Sequence, residues 1–208
     1  VSGEIRILGI DPSMSCSGWA LIDGEANVIE CGTERDREHE RSVPERINAM
    51  AWRLADVVKR LAPTHVYAGE PLIHNARGKS ISLIKLAGAV GFGAHDRSNR
   101  ALTVTGIHDV SARRIVGFKP TKVKGEKDNE REQRLKAEVF TFAVLNLKGA
   151  TFTSVDAAEA GIFALAGLKV VKGEATLTVP KKARKKREGG ERKSKRVKLA
   201  VSAKDPTG

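Results

Sequence analysis

Apolar and polar positions follow a short period at the start of the chain and a longer one afterwards. Residues 5–10 (IRILGI) are an apolar run broken by Arg6 and Gly9 and followed by Asp11-Pro12. Residues 18–22 (GWALI) and 26–32 keep the strand-like pattern, with Asp23-Gly24 between them. Asp-Gly between two apolar runs signals a hairpin, so three consecutive antiparallel strands are expected. The period then lengthens. Ile47, Met50, Leu54, Val58 and Leu61 recur at helical spacing. Ser42 and Glu45 fit a capping box, Pro44 suits the first turn, and Pro63 ends the helix. Residues 65–69 (HVYAG) read as a short buried strand ending at Glu70.

The second half alternates in the same way. Residues 80–94 read as a helix rich in alanine and glycine, whose lost helix propensity calls for close packing against a neighbour. Residues 101–106 read as a fifth strand, and the Lys/Gly-rich residues 117–126 as a mobile loop. A helix is expected over 129–147, with Leu135, Val139, Phe142 and Leu145 on one face. A last helix is expected over 154–168, with Ser154 as its N-cap, and a further strand over 170–179. Beyond Pro180 no period remains, and the chain is basic and of low complexity. The order predicts an α/β domain: a mixed five-stranded sheet flanked by helices over residues 1–170. Residues 171–208 are expected to be a basic, largely disordered tail.

Composition narrows the function. Hydrophobic residues make up 40% of the 208, enough for a core and too many for wholesale disorder. No apolar stretch approaches the roughly 18 residues of a membrane span, and the first residues lack the pattern of a secretory signal. Two cysteines, Cys16 and Cys31, suffice for neither a disulfide framework nor a zinc knuckle. A reducing, intracellular setting is therefore expected. The net charge is +12, and its location matters. From Pro180 to Gly208 there are 12 Lys/Arg and 3 Asp/Glu, so +9 sits in the tail and +3 in the rest. A polyanionic partner follows, and nucleic acid is the commonest.

Four acidic residues stand in places that solvation alone does not explain. Asp11 follows an apolar strand, and Glu70 ends another. Asp156 and Glu159 open the last helix at spacing i, i+3, which puts both on one face. Strand-end carboxylates beside a helical pair make an oxygen-rich site suited to Mg²⁺ or Mn²⁺. Each residue also has a local reading, as a turn residue before a proline or as a helix N-terminal acid.

Three segments resemble the RuvC family of Holliday-junction resolvases. "ILGIDPSMSCSGWALID" is similar to its first motif, "HVYAGEPLIHNARGKSISLIKLAGAVGFGA" to its second and "SVDAAEAGIFAL" to its third. The motifs occur in order from Ile5 to Leu168. The resemblance implies a ribonuclease H-like fold and places Asp11, Glu70, Asp156 and Glu159 on the family's metal ligands. Glu159 stands where the family usually has Asp. Lys127 falls on a lysine that approaches the scissile phosphate, and a second such lysine falls near Ala112-Arg113. Ile73 takes the place of an aromatic wedge, a departure that suits a phage-type member. Arg77, Lys79, Arg113, Arg114, Lys119, Lys122, Lys124 and Lys127 are the expected nucleic-acid contacts.

The implied activity is two-metal hydrolysis of branched DNA by a structure-selective endodeoxyribonuclease that leaves 5′-phosphates. It implies two Mg²⁺ ions, with Mn²⁺ able to substitute, and a homodimer that cuts opposed strands of a four-way junction. Residues 80–94 are the expected dimer surface. Three alternatives stay open. They are a nuclease for flaps or RNA–DNA hybrids, a non-catalytic nucleic-acid-binding module of the same fold, and a sugar-kinase-type ATPase. The last would need two copies of the fold. "PKKARKK" and "KRVKL" also resemble nuclear-localisation signals, which leaves the nucleus open as a location.

Overall fold

A computed structural model describes residues 4–37, 41–70, 102 and 104–177. The helix expected over 80–94, the residues Ile73, Arg77 and Lys79, and the tail from residue 178 lie outside them.

The three-strand opening is present. β1 (Arg6–Asp11), β2 (Cys16–Asp23) and β3 (Val28–Arg35) are joined as antiparallel neighbours. β4 (His65–Glu70) lies parallel to β1 on its other side, and β5 (Val104–His108) lies parallel to β4. The sheet order is β3-β2-β1-β4-β5, which makes β1 central. A central strand covered on both faces needs apolar side chains at successive positions, and Ile7, Leu8 and Ile10 are fully buried.

The hairpin turn differs from the two-residue turn the sequence suggests. The Asp23 carboxylate accepts hydrogen bonds from the backbone N–H of Glu25 (2.8 Å) and of Asn27 (2.9 Å). Those bonds spread the reversal over Gly24–Asn27, and the positive φ falls on Ala26 (61°). An Asp side chain that bonds the backbone two residues on builds its own turn.

α1 (Val43–Leu61) begins as expected: the Ser42 backbone N–H and Oγ both bond Glu45 Oε2, at 2.8 and 2.6 Å. It ends at Ala62, whose left-handed φ of 43° precedes Pro63. Its apolar stripe, with Met50, Leu54 and Val58, covers Leu8, Ile10, Leu21 and Val66 on one face of the sheet. The other face carries α2 (Asp109–Val116), α3 (Asp128–Asn146) and α4 (Val155–Val171). α4 is the innermost helix, apolar on nearly every side, as a helix sandwiched between sheet and helices must be.

Four expectations change. α2 is a helix in the segment "DVSARRIV", whose short polar pattern carries no long period. In α3, Val139 and Ala143 are buried, whereas Leu145 is 77% exposed. A helix turns 3.6 residues at a time, so Ala143 rather than Leu145 continues the Leu135–Val139 face. The expected strand over 170–179 does not form in its described part. α4 runs on to Val171 and stops at Gly173 (φ 74°). The 117–126 segment has no regular structure but is clasped. Arg134 bonds both carboxylate oxygens of Glu126 at 2.8 and 2.7 Å. Glu138 accepts from Arg134 Nη1 (2.8 Å) and from the Thr121 backbone N–H (3.1 Å). Phe118 is buried edge-on to Phe142.

Candidate active site

Two glycines bring the third motif onto the first. Gly9 and Gly18 lie on β1 and β2, on the face that α4 covers. A Cβ on Gly9 would overlap the Ala160 carbonyl, and one on Gly18 would overlap the Asp156 carbonyl. Helix backbone thus rests directly on strand backbone, an approach only glycine permits. Gly18 is the β-pairing partner of Asp11. The first turn of α4, capped by the Ser154 Oγ that accepts from Ala157 N (3.1 Å), therefore sits beside Asp11.

The result is a concentrated negative charge. Burial pushes the Asp11 carboxyl well above the ordinary carboxylate range. The charges of Glu159, Asp109 and Asp156, and a hydrogen bond shared with Glu159, push it the same way. Glu159 is also raised, first by burial, although Arg113 opposes the shift; Asp109 and Asp156 reinforce it. The Arg113 guanidinium donates to Glu159 Oε1 at 2.8 Å, with both side chains about one-fifth exposed (21%). Asp109 opens α2, and the protein packed around its carboxyl raises it despite Arg113 and His108 nearby.

Of the four expected carboxylates, the fold brings three together and sets one apart. Asp11, Asp156 and Glu159 share a neighbourhood. Glu70 stands at the end of β4, and its side chain lies over Gly106 of β5. Val66 and Ala68 face the α1 layer, so by alternation Glu70 points to that face, away from Asp11. Among the described residues, no three His, Cys, Asp or Glu side chains are placed to hold one metal ion.

The basic residues are also sorted. Lys127 is the N-cap residue of α3, and its backbone N–H donates to Glu130 Oε2 (3.1 Å). The lysine that feels the charges of Glu159 and Asp156 is Lys136, on the next turns of α3. Its ammonium is raised mainly by the hydrogen bond it donates to Glu132 Oε1 (2.8 Å), against some burial. Arg113 belongs to the acidic cluster, while Arg114, Lys119, Lys122 and Lys124 are exposed. The sequence reading missed Asp109, Lys136 and Cys16. Burial raises the Cys16 thiol, and so does its hydrogen bond to Asp156. No sequence spacing marks these three residues. Asp109 follows the last residue of β5, the same strand-end position that marked Asp11 and Glu70, and that was the one available signal.

The donor chemistry fits a hard divalent cation. Asp156, Glu159 and Asp109 act electrostatically on the buried Asp11 carboxyl, and Arg113 is bonded to Glu159. Carboxylates held together in this way need more positive charge than one guanidinium.

No family model matches the chain. The crossover junction endodeoxyribonuclease RuvC of Afipia carboxidovorans is 34% identical over 88 residues, 40% of this chain and 50% of that protein. The RuvC of Sphingopyxis alaskensis is 30% identical over 101 residues, 48% of this chain and 63% of that protein. The chain thus spans about half the length of the curated relatives it matches. RuvC of T. thermophilus, solved with a Holliday junction substrate, superposes with a TM-score of 0.60 at 16% identity. That match covers 84% of this chain and 100% of that one. A second structure of Thermus thermophilus RuvC gives 0.56 at 17% identity. These superpositions establish the fold, a ribonuclease H-like mixed sheet flanked by helices. The chain is thus similar to the RuvC crossover junction endodeoxyribonucleases, by sequence over the matched segment and by fold over most of its length.

Proposed function

We propose that the chain is a metal-dependent endodeoxyribonuclease that cuts branched DNA, four-way junctions above all, in recombination or repair. The observation that carries this reading is Asp11: a buried carboxylate at the end of the central strand, paired with Gly18 on which the first turn of α4 rests, beside Glu159, Asp109 and Asp156, in a chain similar to RuvC. Asp11, Asp156 and Glu159 would hold divalent cations. Mg²⁺ fits best and Mn²⁺ substitutes. When bound, such ions activate a water and neutralise charge on the phosphate. The protein's part is to hold the carboxylates. Gly9 and Gly18 fix the distance of α4 from β1. Arg113 orients Glu159, Lys136 adds positive charge beside Asp156, and Lys127 stands ready for the phosphate.

The direct test is cleavage of synthetic four-way junctions, flaps, forks and RNA–DNA hybrids, with and without Mg²⁺. Mg²⁺-dependent, paired nicks in the junction, with 5′-phosphate ends and a dimeric species in solution, are expected. Preference for flaps or hybrids would move the chain to another substrate, and no cleavage of any member would leave a binding module.

Glu159 offers a sharper check. Glu159→Asp is expected to retain cleavage within about tenfold, because the charge stays and only the arm shortens. Glu159→Gln should lose most of it, since an amide is a poor ligand for a hard cation. Cleavage by the Gln variant at the parental rate would reduce Glu159 to the partner of Arg113.

The tail carries the non-specific charge. Removing residues 180–208 takes away +9 of the +12. Each phosphate contact contributes roughly −0.9 to the slope of log K against log salt. Four tail contacts therefore make the truncated chain's slope shallower by about 3–4 units. Its preference for a junction over plain duplex should persist. Titration of both DNAs at several salt concentrations reads both effects, and unchanged slopes would assign the tail to targeting instead.

A further inference from the structure

A groove of about 350 Å³ runs between α2, the clasped 117–126 segment and the start of α3. Nine residues line it; four are basic and none is acidic. Arg113, one of the four, is bonded to Glu159, so the groove's lining joins the acidic cluster. Arg114, Lys119 and Arg131 are exposed. Between the cations the surface is apolar: Val110 is 54% exposed, and Pro120 and Leu135 complete it. The neighbouring groove, of about 280 Å³, is lined by Glu126 and Asp128 as well as lysine and arginine, so its charges are mixed. The first groove joins a basic lining that includes no acidic residue to an apolar recess.

We propose that this groove receives one unpaired DNA nucleotide next to the strand that reaches Asp11. The inference rests on the nuclease reading and adds a subsite to it. Paired DNA offers a protein mainly phosphates and sugars, which the cations alone would satisfy. An apolar recess among cations suits an unstacked base whose own phosphate stays outside, with aliphatic side chains in place of the aromatic ones on which single-strand binding surfaces stack bases. A four-way junction has its weakest stacking at the crossover, so a base there is the least costly to withdraw. Arg114, Lys119 and Arg131 would hold the phosphates, and Val110, Pro120 and Leu135 would take the base. The arginine clasp on Glu126 keeps Lys119 and Pro120 in place without regular structure.

The test uses the full chain in metal-free buffer, so that no strand is cut. Three duplexes are titrated: fully paired, with one unpaired central nucleotide, and with an abasic residue at that place. The parent is expected to bind the unpaired nucleotide about tenfold more tightly than the abasic duplex, within the range for one stacked base. Val110→Asp, and independently Pro120→Asp, should erase that preference and leave affinity for the paired duplex within about threefold. Both positions are exposed, and the circular dichroism spectrum checks the fold. Equal binding of the unpaired and abasic duplexes by the parent would overturn the subsite while leaving the nuclease reading standing. So would a preference that survives both variants. Failure of the parent to bind any of the three duplexes or a four-way junction would overturn the nuclease reading itself, and the subsite with it.

Discussion

Asp11→Asn is expected to abolish cleavage, by about 10³-fold or more, while leaving junction binding intact. A metal-held site supplies several kcal/mol of charge stabilisation, and each 1.36 kcal/mol is a factor of ten in rate. Asn keeps the shape and removes the charge that a divalent cation needs. The same variant should be more stable than the parent when both are metal-free. The folded Asp11 carboxyl titrates well above its unfolded value of 3.8. Between those two values the native state binds the extra proton. Asp11's favourable contribution is therefore full below 3.8 and is lost as pH rises through the folded value. Above the folded value the parent holds a disfavoured negative charge that Asn does not. Melting curves of parent and variant in chelator, and then in Mg²⁺, measure this: Asn raises the melting temperature in chelator, and Mg²⁺ raises only the parent's. Normal junction cleavage by the variant would sink the assignment of Asp11. A lower melting temperature in chelator would show that its charge is already compensated.

Gly9→Val and Gly18→Val are the second pair of large effects, and they act through the fold. At either position a side chain has no space, because the obstacle is the backbone of α4. Backbone cannot rotate away as a side chain tip does, so α4 must lift from the sheet. Overpacking a core costs about 1–3 kcal/mol where side chains can adjust, and more where they cannot. A loss above ~4 kcal/mol is expected here, a large share of a domain's stability. Gly24→Ala is the control: a Cβ there meets Ile5 at an ordinary 3.5 Å. Its stability should change by less than about 1 kcal/mol. Urea unfolding of the three variants distinguishes them. A Gly18→Val chain as stable as the Gly24→Ala control would mean that α4 does not rest on β2 as described. Loss of cleavage in a folded Gly18→Ala chain would show instead that the glycine sets the distance between Asp156 and Asp11.

Much of this protein can be read along the chain, because the signals are local. The three opening strands, the capped start of α1 and its stop at Pro63, and the Ser154 cap of α4 each depend on neighbours within a few residues. So does the identity of Asp11, Asp156 and Glu159 as unusual acids, since a carboxylate at the end of an apolar strand or an i, i+3 pair on a helix is visible in the sequence. The misreadings arose where a local signal competed with a distant one. Asp23 reaches Asn27 and enlarges the hairpin turn. The apolar residues after Leu168 look like a strand but prolong a buried helix that the sheet and α3 enclose. The segment over 117–126 looks mobile, yet Arg134 on α3 holds it through Glu126 and Glu138.

What only the tertiary structure decided is which charges meet. Pairing register places Gly18 opposite Asp11, and two missing side chains let α4 approach until Asp156 and Glu159 face that strand end. Parallel pairing of β4 with β5 brings Glu70 and Gly106 onto one face. Strand alternation then turns Glu70 toward the α1 layer and away from its expected partners. Asp109, Lys136 and Arg113 join the acidic cluster from helices that the chain reaches separately. A pattern along one dimension records the period of each element and the residues at its ends. It does not record the rotation of one element against another, and the electrostatics of this site depend on that rotation.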